Sequence, residues 1–375
     1  MMYSHLCHRC LAGAATFALF FLAGCADAGS ATGPEATGPE ATGPESGSGE
    51  PRDLGLPPGS ATAAARAIND RGQVAVTANI AGGDRIMPFL YDGGTYRALA
   101  PNEKSGSAEV VALNDEGVAA GFVRPAGTNG VLQAALFTGG VVTMLPTGAS
   151  TVMTSVATGI NDAGQVVGWR LFSEGPTFVT TPARRATLWR VGRPEITDLA
   201  VGAGSSPESE AANSSAALAV NDVGLAVGFV GLLRTNSMPS RSVVFVGGLT
   251  VELTLPADYT IGQATAVNDQ GLVAGTVRAP GVQRAVVWVA GRPTILEPPP
   301  GYLNSEAHGI NEAGDVVGDA IGGPAVRSAV LWRGGTTRIL PPIASGADAT
   351  AADINNRREV VGASGGRPVR WTVSP

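Results

Sequence analysis

Three groups of residues here are of types that do chemistry. The first is a recurring carboxamide–carboxylate pair, found at Asn69–Asp70, Asn114–Asp115, Asn161–Asp162, Asn221–Asp222, Asn268–Asp269, Asn311–Glu312 and Asn355–Asn356. Such oxygens suit calcium, but one acidic residue per copy is far short of the about six to eight oxygens that calcium takes. Asn-Asp-x-Gly is also tight-turn chemistry, with the side chains capping the turn and Gly supplying the left-handed residue. The turn reading accounts for the pattern, so no metal site and no cofactor are expected. In the seventh copy Arg358 stands where the glycine should be. A left-handed arginine costs about 1 kcal/mol, which predicts a reshaped turn there. The second group centres on His308, since His5 and His8 lie in an N-terminal leader. A Ser–His–Asp triad would rest on His308 alone, and a multi-histidine metal centre is ruled out. Tyr302, Asn304 and Glu306 lie just upstream, and Arg66 occupies the matching place in the first copy. These five are the candidate binding residues, weighed against a plain structural histidine; no catalytic residue is assigned. The third group is cysteine. Cys7-His8-Arg9-Cys10 has the look of a metal fragment but sits in the leader, which leaves Cys25.

The elements that must hold these residues follow from the spacing of the pair. The marker asparagines recur at intervals of 45, 47, 60, 47, 43 and 44 residues. A β-rich repeat with a period in the forties signals a propeller. Each copy has four parts: a short strand of pattern Ala-x-Ala/Gly-Ile/Val-Asn, the turn and a strand such as Gln165-Val166-Val167-Gly168, a third strand ending in an aromatic residue, and a fourth ending near proline. Tyr91, Phe137, Trp189, Phe245, Trp288, Trp332 and Trp371 hold the aromatic place. They read as blade-to-blade core rather than as sugar-stacking platforms, because both faces of a blade are buried. Four antiparallel strands make one blade, so the fold class is all-β, a seven-bladed β-propeller. The seventh copy stops at its third strand, and Asp53-Leu54-Gly55-Leu56-Pro57 offers the missing fourth. Closure by the N-terminal strand removes an exposed sheet edge and makes the Ala-x-Ala/Gly strand innermost.

The N-terminal part reads as targeting and tether. Residues 1–24 form a signal peptide, with Arg9 before an apolar run from Leu11 to Leu22 that is too short to span a bilayer. The run ends in Leu22-Ala23-Gly24-Cys25, which resembles the bacterial lipobox and implies a lipid on Cys25. That places the protein on the cell envelope, at the outer membrane, or makes it secreted if the lipobox is not used. Residues 25–50 carry Ala-Thr-Gly-Pro-Glu three times, a composition that cannot bury a core and reads as a disordered linker. Residues 51–375 hold the repeats. A net charge of -6 argues against nucleic acid. The phrases Gly-Ile-Asn-Asp-Ala-Gly-Gln-Val-Val-Gly (159–168), Ala-Val-Leu-Trp (329–332) and Asp-Leu-Gly-Leu (53–56) resemble the bacterial extracellular HAF repeat, although the His-Ala-Phe that names it is absent from this chain. The resemblance implies an exported, propeller-like protein and carries no catalytic residue.

Function is less determined. In a meander the turns between strands 1–2 and 3–4 lie on one face and are short here. The 2–3 and blade-to-blade loops lie on the other, with long pieces expected at Leu171–Arg185 and Val201–Ala216, either binding loops or plain solvated insertions, and with the serine- and glutamate-rich stretch Gly204–Ser215 read as disordered. Variable loops on a rigid scaffold are where binding usually resides. The expectation is a monomeric, non-enzymatic binding or scaffold module for a protein or polysaccharide, touching the membrane only through its lipid. The alternative is a propeller lyase or glycosidase using channel or loop-face carboxylates, which requires two acidic groups within about 5–10 Å in one pocket.

Overall fold

Alternating apolar residues punctuated by Gly-Gly and Asn-Asp-x-Gly turns fold into twenty-eight strands and no helix among the described residues. The computed structural model describes residues 48–374 except 84, 102–105, 126–130, 149–151, 173–182, 200–212, 233–239 and 323–326. The strands form seven antiparallel four-stranded sheets. Six are consecutive meanders, covering 60–98, 107–144, 152–198, 213–252, 261–296 and 304–339. The seventh takes its three inner strands from 349–373 and its outermost strand, Ser48–Asp53, from the N-terminal end. The first strand of each blade packs beside that of the next, and that of blade seven beside that of blade one, closing a seven-bladed propeller.

Two details of the closing strand differ from expectation. It runs from Ser48 to Asp53, pairing Asp53 with Val369, so it ends where the sequence reading began it. Asp-Leu-Gly-Leu is the exit from the strand: Leu54 donates its backbone N–H to Pro368 and is buried, as Leu340 donates to Ala329 at the end of blade six. The folded region therefore starts inside the segment assigned to the linker. Residues 1–47, with the leader, Cys25 and most of the linker, lie outside the described residues.

The core sits between blades. All seven strand-three aromatics are buried, Phe137, Trp189, Trp288 and Trp371 completely. Each of the four strand-three tryptophan indoles also donates to a carbonyl at the end of the preceding blade: Trp189 to Pro146, Trp288 to Thr254, Trp332 to Glu297 and Trp371 to Pro341. Apolar burial and a satisfied polar edge thus come from one side chain.

The long loops are shorter than the sequence suggested. Leu171 and Phe172 complete the strand Gln165–Phe172, and Ala183–Arg190 is strand again. The hairpin is extended by arginines on aromatic faces: Arg170 and Arg185 over Phe172, and Arg184 over Trp169. Asn213–Val220 is the first strand of blade four, with Ser214 and Ser215 buried. The end of the stretch expected to be disordered therefore lies in a sheet, and Ser215 Oγ accepts the Ala186 N–H at 2.9 Å. The remainders of both loops, 173–182 and 200–212, fall outside the described residues.

Candidate functional site

The Asn-Asp-x-Gly turns do more than turn the chain. In every blade the asparagine Oδ1 accepts the backbone N–H four residues on, as Gln165 donates to Asn161 at 2.8 Å. Its Nδ2 donates to the backbone carbonyl of the next blade's asparagine. The chain of bonds runs Asn69, Asn114, Asn161, Asn221, Asn268, Asn311, Asn355 and back to Asn69, over 2.8–3.3 Å. A second ring lies beside it. The backbone N–H of each following residue donates to the side chain of its counterpart in the next blade, from Asp70 to Asp115, Asp162, Asp222, Asp269, Glu312, Asn356 and back to Asp70. Both rings line a vestibule of about 210 Å³. Burial raises the Asp162 carboxyl, and the carboxylates of Asp222, Asp115 and Glu116 raise it further. The turn reading was right for each copy and incomplete for the set.

The seventh turn is not reshaped. Arg358 adopts φ 60 and donates its N–H to the Asn355 carbonyl at 3.0 Å, as the glycines of the other copies do. The strain of about 1 kcal/mol is offset because Arg358 Nε reaches the buried Asp315 carboxylate at 3.0 Å.

A bulge sets the wall of the central channel. Each first strand shifts register against the second by one residue at the same place, skipping Arg66, Val111, Thr158, Leu218, Thr265, His308 and Ala352. An extra residue bends the strand and re-aims its side chain. All seven skipped residues line one channel of about 620 Å³. The glycine of the facing strand that pairs with the residue just before the bulge belongs to the same device. A Cβ at Gly121, Gly168, Gly228, Gly275, Gly318 or Gly362 would run into a carbonyl oxygen of the first strand; blade one carries Val76 there. Three skipped side chains also bridge blades: Thr158 Oγ1 donates to Ala217 at 2.7 Å, Thr265 Oγ1 to Ala307 at 2.8 Å, and His308 Nδ1 contacts the Ala351 carbonyl at 2.8 Å. The carbonyl can only accept, so Nδ1 carries the proton and Nε2 faces the other way.

In blade six that other way leads to charge. His308 Nε2 lies 3.7 Å from Glu306 Oε2. Arg327 Nη1 bridges Asp319 Oδ2 at 2.7 Å and Glu306 Oε2 at 3.4 Å. Gln283 Nε2 donates to Glu306 Oε1 at 2.5 Å, and the Ala351 N–H donates to Asp319 Oδ1 at 3.1 Å. Asp319 is fully buried, while Glu306 and His308 keep part of their side chains in solvent. His308 holds the Glu306 carboxyl down to about 2, with help from Gln283 and Arg327 and against burial. Burial alone would lower the His308 pKa, but Glu306 and Asp319 reverse this and raise it. Burial raises the Asp319 carboxyl, offset in part by His308 and Arg327. Arg327 opens its strand and Arg278, 3.5 Å from Glu306, nears the end of its own, so the cluster sits at the loop-side mouth.

Of the five candidate residues, Glu306 and His308 meet in this cluster, Arg66 shares only the channel wall with His308, and Asn304 and Tyr302 are engaged elsewhere. Arg66 and His308 both line the channel, and Glu306 faces His308. Asn304 Oδ1 accepts the Gln283 N–H at 2.9 Å and so ties blade six to blade five. Tyr302 is diverted, its hydroxyl 2.6 Å from Ser328 Oγ and its ring packed against the core between blades five and six. Sequence reasoning missed Gln283, Asp319, Arg327 and Asp353, and Glu109, which lines the channel. Aligning the copies flags two of them. Asp319 stands where Thr77, Phe122, Trp169, Phe229, Thr276 and Ala363 stand elsewhere, and Asp353 where the other copies hold Ala or Gly. Asp353 lines the channel and accepts the N–H of Ile68 at 3.0 Å across the closing seam and that of Ile354 at 2.9 Å. Burial pushes its carboxyl up to about 6.

No protein-family model and no curated protein matches this chain. Solved structures do. An oligogalacturonate lyase from Vibrio parahaemolyticus superposes with a TM-score of 0.53 at 11% identity, over 87% of this chain and 93% of that one. A prolyl endopeptidase matches with a TM-score of 0.51 at 11% identity, over 80% of this chain and 46% of that one, so this chain spans about half of the endopeptidase's length. The β-propeller domain of the Trilobed protease from Pyrococcus furiosus matches with a TM-score of 0.45 at 9% identity, over 83% and 94%. At these identities the likeness is one of fold.

Proposed function

We propose that this protein is a binding module of the bacterial cell envelope, a divergent relative of the extracellular HAF repeats, held on a lipid at Cys25, and that it takes a protein or polysaccharide ligand at the loop-side mouth of its channel. One observation carries the reading. The scaffold repeats, but the seven side chains that the bulges aim into the channel do not: Arg66, Val111, Thr158, Leu218, Thr265, His308 and Ala352. A fixed frame presenting a non-repeating set of charged, polar and apolar groups suits recognition of an asymmetric ligand. The test is a glycan array and a pull-down with the full chain, each repeated with Arg66→Ala. A ligand whose binding falls at least tenfold in the variant supports the reading. A ligand held equally well by the variant places recognition away from the channel and overturns it.

A second reading, a lyase or glycosidase, is favoured by the carboxylates of Glu306 and Asp319 beside His308. Their donor atoms lie within 4.8 Å of one another, and their environments set the two acids apart. It is the weaker reading because Asp319 is fully buried and both carboxylates already bind Arg327. Cleavage of an acidic polysaccharide that is lost in Glu306→Gln would decide for it.

A further inference from the structure

The geometry points to a divalent-cation site at the loop-side mouth, formed by His308 Nε2 and the carboxylates of Glu306 and Asp319. It does not rest on the binding reading above. Sequence reasoning discarded multi-histidine centres and expected no metal site; a mixed set of one imidazole and two carboxylates was not weighed. One donor atom from each of the three residues lies within 4.8 Å of the others. Adjacent ligands of an octahedral ion with bonds near 2.1 Å stand about 3 Å apart, so a contraction of about an ångström or two completes the set.

Two features go beyond proximity. His308 is arranged as metal-binding histidines are: the far nitrogen is held by a backbone carbonyl, Ala351 at 2.8 Å, which fixes the tautomer and turns Nε2 toward the carboxylates. The carboxylates are held too, Glu306 by Gln283 and Asp319 by the Ala351 N–H. One peptide unit of blade seven, Ala351, thus orients two of the three donors. The place is also unique among the copies. The residues matching Asp319 in the other blades include no carboxylate, and those matching His308 no second histidine.

Arg327 is the resident cation. Its guanidinium binds both carboxylates from a strand end and remains more than a third exposed, so it can swing outward. A dication that takes its place binds both carboxylates and the Nε2 lone pair, releasing any proton on Nε2 to solvent. One imidazole with two carboxylates suits manganese and similar ions. Manganese is the better probe because a carboxylate-rich ligand set suits it.

The experiment is a Mn2+ titration of the chelator-treated full chain, followed by calorimetry and by loss of the free-ion EPR signal. One saturable site is expected. His308→Ala should weaken it at least tenfold, and Arg327→Met, which removes the competing charge and keeps the stem, should tighten it several-fold. The proposal is overturned by absence of saturable binding, or by binding that survives His308→Ala unchanged, which would place the ion at the acidic ring of the turn side. Should His308→Ala not fold, Arg327→Met decides: a folded variant that binds no more tightly than the parent overturns the proposal.

Discussion

Removing one member of the asparagine ring tests how the propeller is closed. Asn221 is 5% exposed. Its Oδ1 accepts the Leu225 N–H at 2.7 Å within its own turn, and its Nδ2 donates to the Asn268 carbonyl of the next blade at 2.8 Å. Asn221→Ala removes both bonds and strands the Leu225 backbone N–H, at about 1–3 kcal/mol, while the Asn268 carbonyl keeps the Gly271 N–H and loses only its bond to the next blade, worth about 1 kcal/mol. The expected loss is about 2–3 kcal/mol. For a folded region of roughly 330 residues, with an unfolding entropy near 2.1 cal/mol/K per residue, this lowers Tm by about 3–4 °C. Asn221→Asp keeps the acceptor and turns an oxygen toward the Asn268 carbonyl. Ionised, that group faces a carbonyl with no donor; protonated, it can donate again. Its folded pKa is therefore raised, and the stability of this variant should fall as pH rises above about 4. The control is Val223→Ala, at a 72% exposed position in the same turn, which should shift Tm by under about 1 °C. Thermal and denaturant unfolding of the four proteins provide the measurement. A loss below about 1 kcal/mol for Asn221→Ala would refute the claim that the ring holds the blades together.

Further outcomes follow from the same seams. Asp222→Asn should leave stability unchanged or raise it at low ionic strength, since an amide keeps the acceptor for the Asp162 N–H and removes one repelling charge; Asn356 is the natural instance. Asp222→Ala should lower stability, and thermal melts at two salt concentrations distinguish the variants. Asp353 bears on pH dependence. Its folded pKa of about 6 lies above the ordinary carboxyl value, so its contribution is fully present below about pH 4 and is lost as pH rises through 6. A shift of about two units amounts to at most about 3 kcal/mol, and Asp353→Asn should flatten the difference between melts at pH 4.5 and 7.5. Deleting residues through Asp53 removes the closing strand and exposes the edge ending at Val373. That chain should unfold without a sharp transition and aggregate, whereas one starting at Ser46 should melt like the parent; light scattering during the melt checks both.

Much of this architecture was readable along the chain. The intervals between Asn69 and Asn355 count the blades, the seven strand-three aromatics mark the core, and the incomplete seventh copy points to closure by the N-terminal end. These signals are local: alternation, turn residues and repeat length depend on neighbours in sequence. The closing strand was misplaced by a few residues because Asp-Leu-Gly-Leu is the conspicuous phrase, whereas Ser48–Asp53, which pairs, has no apolar pattern. The turn at Arg358 was misjudged because its partner, Asp315, lies in another blade. Tyr302 and Asn304 were grouped with His308 by nearness in sequence, yet Tyr302 precedes the strand Asn304–Ile310 and packs against the core, and Asn304 is engaged by the Gln283 N–H of blade five, contacts that neighbours in sequence do not reveal.

By itself the sequence determined a ring of seven similar units with a buried aromatic in each. Only the tertiary structure decided what the units do to one another. The bulge that aims Arg66 and His308 into the channel rests on backbone contact between paired strands, and the cluster of Gln283, Glu306, His308, Asp319 and Arg327 is assembled from blades five and six, with blade seven holding His308 and Asp319 in place. The Asn-Asp-x-Gly phrase is punctuation when read one copy at a time. Once the ring closes, each copy's side chains meet the backbone of the next, and the same residues become the hydrogen-bonded hoop that joins the last blade to the first.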